Sequence, residues 1–82
     1  MYKISHYVYI VQCSDGTLYT GWTTDIPNRI KAHNSNTGAK YTRGRGPVRL
    51  LYSEFFETKS EALKREKEIQ KMTRAKKLLL IN

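Results

Sequence analysis

The sequence predicts a small α/β (α+β) sandwich: a three-stranded antiparallel sheet flanked by helices, in the order β-β-α-β-α-α. Three observations carry this. Tyr7-Val8-Tyr9-Ile10-Val11 is β-branched or aromatic at every position, as a central strand covered on both faces requires. Ser14-Asp15-Gly16 then supplies a turn whose glycine can take a positive φ. Two later stretches place apolar side chains at helical spacing, Ile26 with Ile30 and then Ala62, Leu63, Ile69 and Met72.

Thr17 to Thr23 is the returning strand. Its register matters, because a slip of one residue exchanges the two faces of the sheet. Two registers compete. With Asp15-Gly16 as a two-residue turn, Gln12 lies opposite Tyr19, and Tyr9 and Tyr19 project from opposite faces. With Ser14-Asp15-Gly16 as a three-residue loop and Gly16 left-handed at a bulge, Val11 opposes Tyr19 and Tyr9 opposes Gly21. Both tyrosines then share one face.

Asp25 can cap a helix with Pro27 in its first turn, where a missing amide proton does no harm. This helix runs to about His33 or Asn34, with Arg29 and His33 beside its apolar stripe. Ser35 to Pro47 is rich in Gly, Asn, Ser and Thr and reads as a loop, carrying Lys40, Arg43 and Arg45 around Tyr41. Val48 to Phe56 alternates imperfectly, but its Leu, Tyr and Phe content suits a third strand. Ser60 is expected to cap a helix through about Met72, with Glu61 complementing the helix dipole. Thr73 caps a final short helix ending in Leu78-Leu79-Leu80-Ile81.

At 82 residues the chain supports one domain, residues 1–82, with a modest core. Hydrophobic residues at 39% and aromatics at 11% suit a globular domain rather than a disordered tail. No apolar run approaches the roughly 20 residues of a membrane span, and the first residues lack a signal peptide's apolar stretch, so a cytoplasmic location is expected. Cys13 has no second cysteine to pair with, and no Cys/His cluster has zinc-finger spacing, so it reads as a small strand residue. The formal charge of +8 favours a polyanionic partner, with nucleic acid the leading candidate. Ribosome association, or no partner at all, would produce the same charge.

Glu66 falls inside the apolar stripe of the 60–72 helix, whereas Glu61 and Glu68 lie off it. An ionised carboxylate facing a core is costly unless it is paired, hydrogen-bonded or bound to a metal. Two readings follow: a salt bridge to an arginine such as Arg29, or a single carboxylate ligand to Mg²⁺ with waters and a substrate phosphate completing the shell.

The chain resembles the GIY-YIG nucleases, since Tyr7-Val8-Tyr9 and Tyr19-Thr20-Gly21 occupy the places of the two short motifs that name the family. Arg29 lies ten residues beyond Tyr19, His33 four further on, and Glu66 in a late helix, in the family's order and approximate spacing. Gly38-Ala39-Lys40-Tyr41-Thr42-Arg43 and the small size look like the stand-alone bacterial members. Tyr7 replaces the first glycine, Val8 and Thr20 replace isoleucines, and Trp22 stands where some repair members carry lysine. The family's late polar residue, commonly Asn, has no matched position here.

What the resemblance implies is hydrolysis of DNA phosphodiester bonds, branched or damaged DNA included, with one divalent ion, Mg²⁺ or Mn²⁺. Tyr9 or Tyr19 would deprotonate the attacking water, Tyr9 being the first choice. Arg29 would stabilise charge on the phosphate, with His33 beside it, and Glu66 would hold the metal. A tyrosine of ordinary pKa near 10 is neutral at pH 7, so such a base needs positive charge nearby. Lys40, Tyr41, Arg43, Arg45 and Arg49 are the expected nucleic-acid contacts. Neither a membrane nor a protein partner is indicated. The rival reading is a non-catalytic nucleic-acid-binding module on the same fold.

Overall fold

A hairpin of β1 (His6–Gln12) and β2 (Leu18–Thr23) opens the fold, in the three-residue register. The Cys13 amide donates to the Thr17 carbonyl at 2.8 Å and the Gly16 amide to the Cys13 carbonyl at 2.9 Å. Gly16 has φ 88, the left-handed conformation that this bulged loop demands and glycine adopts without steric cost. Asp15 stiffens the turn by accepting from the Thr17 amide at 3.1 Å and its hydroxyl at 2.6 Å. Val11 therefore opposes Tyr19 and Tyr9 opposes Gly21. The structure, a computed structural model, describes residues 4–35 and 46–82.

β3 (Arg49–Phe56) pairs with the other side of β1, giving an antiparallel sheet of order β2-β1-β3. The imperfect alternation of this segment has a structural cause. Ile10 opposes Tyr52 and Val11 opposes Leu50, so Leu51 is an extra residue at a bulge and the inward pattern shifts by one there.

The central strand separates two cores. Val8 and Ile10 pack with Ala62 and Ile69 on one face, joined by Leu18, Trp22, Phe56, Leu80 and Ile81. Tyr9, Val11, Cys13 and Val48 pack on the other, joined by Tyr19, Ile26 and Ile30. The helix α1 (Ile26–Asn34) thus covers the tyrosine face, while α2 (Lys59–Gln70) and α3 (Arg74–Ile81) cover the opposite one.

Asp25 caps α1 by accepting from the Asn28 amide at 3.2 Å, and Thr73 caps α3 through the Lys76 amide at 3.2 Å. The cap of α2 is Thr58, not Ser60. Its hydroxyl accepts from the Glu61 amide at 3.2 Å and lies 3.0 Å from the Glu61 carboxylate. The Thr58-x-x-Glu61 spacing is itself a capping signal, which outcompetes a serine lacking an acidic residue three positions on. Among the described residues, no helix is long and apolar enough to cross a membrane.

Candidate active site

The chosen register and the position of α1 bring four of the expected site residues together. Tyr9 is buried on the central strand, and the hydroxyl end of its ring lies against Gly21 of β2. A Cβ added at Gly21 would stand 2.6 Å from the Tyr9 Oη, 2.8 Å from its Cζ and 3.1 Å from the Tyr19 ring. Any side chain there would displace the Tyr9 ring, so glycine makes the tyrosine's position possible. The short Tyr19-Thr20-Gly21 motif contains this glycine, but nothing local in the sequence tells that a ring must lie against it.

His33 on α1 is fully buried, and its Nε2 lies 2.9 Å from the Tyr9 Oη. Arg29, one helical turn earlier, donates from Nε to the same oxygen over a long 3.4 Å. Tyr19 packs edge-on against His33, with ring centroids 5.5 Å apart, and 6.4 Å from the Tyr9 ring. Arg29 makes no ion pair with Asp25, one turn before it, among the described residues; Asp25 is engaged as the helix cap.

The electrostatics of this group are dominated by burial. It pushes both phenols up from 10.0, and Arg29 offsets the effect in part for Tyr9 and Tyr19 alike. Burial lowers His33, and the Arg29 charge adds to the effect, so its imidazole is neutral at pH 7. In the tautomer carrying its proton on Nδ1, Nε2 accepts the Tyr9 hydroxyl proton. The site is thus a neutral phenol bonded to a neutral imidazole, with a guanidinium alongside.

Glu66 reaches the group differently. It rides on α2, which packs on the opposite core, and makes no ion pair with Arg29. One turn further along α2, Gln70 donates to the Thr20 carbonyl at 3.3 Å. That turn of α2 therefore runs along β2, the outer strand beside Gly21. From there the Glu66 charge is felt by both phenols, raising each. Burial raises Glu66 itself, with Lys67 opposing. Half-buried, it has neither a hydrogen bond nor an ion pair to another described residue.

Lys40, Tyr41, Arg43 and Arg45 lie outside the described residues. Arg49 is exposed at the hairpin end of β3, 3.4 Å from the Gln12 Oε1, and three strand positions from Tyr9 along β1. The register therefore separates it from Tyr9.

Comparison with known proteins identifies the family of the chain. A model of the GIY-YIG catalytic domain matches residues 5–78. A UPF0213 protein of Clostridium perfringens is 62% identical over 77 residues, covering 94% of this chain and 83% of that protein. A UPF0213 protein of Staphylococcus aureus is also 62% identical over 77 residues, covering 94% of both chains. The solution NMR structure of a UPF0213 protein from Bacillus halodurans is 53% identical with TM-score 0.61, covering 94% of this chain and 82% of that one. A second NMR structure, of a protein from E. faecalis, is 49% identical with TM-score 0.61, covering 89% and 78%. The motifs, the α+β architecture and these similarities agree: the chain belongs to the GIY-YIG catalytic-domain family.

Proposed function

We propose that the chain is a metal-dependent endonuclease-type domain that hydrolyses DNA phosphodiester bonds at Tyr9. The observation that carries this is the Tyr9 hydroxyl held between the His33 Nε2 at 2.9 Å and the Arg29 Nε at 3.4 Å. A phenol raised by burial is a poor base alone. Bonded to a neutral imidazole, it can accept a proton from the attacking water while passing its own to Nε2. The water oxygen then bonds to phosphorus, the bond to the leaving oxygen breaks, and solvent protonates that oxygen. Arg29 lies where it can offset the negative charge gathering on the phosphate. Tyr19 packs against His33 and holds the imidazole toward Tyr9.

Glu66 suits a single divalent ion, because a half-buried carboxylate without a partner among the described residues is the donor that such an ion needs. The described residues hold no cluster of three His, Cys, Asp or Glu, so waters and substrate phosphate oxygens would complete the shell. A bound Mg²⁺ or Mn²⁺ would supply charge neutralisation at the phosphate. Lys40, Tyr41, Arg43 and Arg45 remain proposed contacts to the nucleic acid, with Arg49 at the sheet's end.

The upward shift of both phenols favours the rival, a binding module without turnover. One assay separates the two: linear, nicked and branched DNA incubated with Mg²⁺ or Mn²⁺, with Tyr9→Phe and Glu66→Ala as controls. Cleavage that disappears in both variants supports the enzyme. Salt-sensitive binding without cleavage, unchanged by Glu66→Ala, leaves the binding module.

A further inference from the structure

The face that carries Tyr9 also carries an aromatic pair that the chemistry above does not use. Tyr7 and Phe55 oppose each other directly across β1 and β3, with ring centroids 5.9 Å apart and planes inclined at 59°. Tyr7 precedes Tyr9 by two strand positions, so both project from the same face. Phe55 is 56% exposed, and Ser53, which opposes Tyr9 on that face, is exposed too. The apolar side chains of α1, Ile26 and Ile30, pack toward Tyr9, Val11, Cys13 and Val48, away from this pair. A phenylalanine ring held half in water on a rigid sheet is available to a flat apolar partner.

We propose that Tyr7 and Phe55 are a stacking platform for one unpaired nucleobase, so that the favoured substrate is DNA with a single-stranded segment or splayed end beside the cut. The location of the cut rests on the reading of Tyr9 as the hydrolytic site; the stacking itself does not. Every base has a π-face, so a platform of two aromatic rings takes any of them without reading sequence. Two strand residues span roughly 7 Å, the scale of one extended nucleotide step. A base seated on Tyr7 and Phe55 therefore brings a neighbouring phosphate to Tyr9 and Arg29. Paired bases inside a duplex present no such face. The chain's net charge of +8 attracts the phosphates and opposes a second copy of the chain as occupant of the patch.

The test uses a short single-stranded oligonucleotide containing one 2-aminopurine, in EDTA so that no cleavage intervenes. Binding by the native chain is expected to quench the fluorophore. Phe55→Ala should weaken binding about tenfold, within the range of one base–aromatic stack, and abolish the quench. Phe55→Trp should keep both, and affinity for blunt duplex should change less than twofold in either variant. The proposal is overturned by absence of quenching with the native chain, or by equal affinity and quench in Phe55→Ala. It is also overturned if sedimentation shows a dimer that Phe55→Ala dissolves while oligonucleotide binding stays constant. Failure to cleave any DNA with Mg²⁺ would instead sink the nuclease reading and leave the stacking result standing.

Discussion

Glu66 and His33 carry opposite electrostatic burdens, and each has a measurable consequence. Burial raises the Glu66 carboxyl, so the folded chain holds that proton more tightly than the unfolded one. Stability from this group is present below the unfolded pKa and is lost as pH rises through the folded value. Glu66→Gln keeps the shape and removes the charge, and at pH 7 its Tm should equal or exceed the native value by up to a few degrees. Millimolar Mg²⁺ should raise the native Tm and leave that of Glu66→Gln unchanged, because only a ligand bound to the folded state stabilises it. His33 runs the other way. Burial, with Arg29, lowers its pKa, so its contribution is full above the unfolded value near 6.5 and is lost as pH falls below it. Native Tm should decline on acidification below that point, and His33→Gln should flatten the decline. Of these two residues only Glu66 announced itself, because a carboxylate breaking an apolar helical stripe is visible within three turns of chain.

At the scale of elements, capping offers a direct comparison between neighbouring hydroxyls. Thr58 holds the first turn of α2 through the Glu61 amide, whereas Ser60 is exposed within that turn. Thr58→Ala should cost about 1 kcal/mol, read in urea denaturation as a lower midpoint. Ser60→Ala should stay within about 0.5 kcal/mol of the native chain. Helix ends are the least legible part of such a sequence, since both threonine and serine satisfy the same local preference. The pairing of Thr58 with Glu61 decides between them. The third strand shows the converse: its broken alternation is legible, but its cause, the extra Leu51, depends on how β3 meets β1.

For the molecule as a whole, a charge of +8 makes association with nucleic acid depend on salt. Affinity for a single-stranded oligonucleotide should fall about tenfold or more between 50 and 200 mM salt, since even a few phosphate contacts release that many counterions. In a plot of log affinity against log salt, Phe55→Ala should displace the line downward without changing its slope, because stacking moves no counterion. A changed slope would mean that Phe55 positions phosphate contacts rather than a base.

The sequence alone determined the order of elements, the two-sided character of β1, the capping of α1 and α3, and the anomaly of Glu66. These rest on composition and periodicity within a few turns, which local physics sets. The hairpin register was open between two alternatives until Gly16 took its left-handed conformation and the Val8 and Ile10 face closed against α2. Only the tertiary structure placed His33 on Tyr9, 24 positions away in the chain, and set the Tyr9 ring against Gly21. It alone put α2 on the far side of the sheet, so that Glu66 makes no ion pair with Arg29. Such contacts are chosen by competition among whole packings, and no window of sequence contains the losing alternatives.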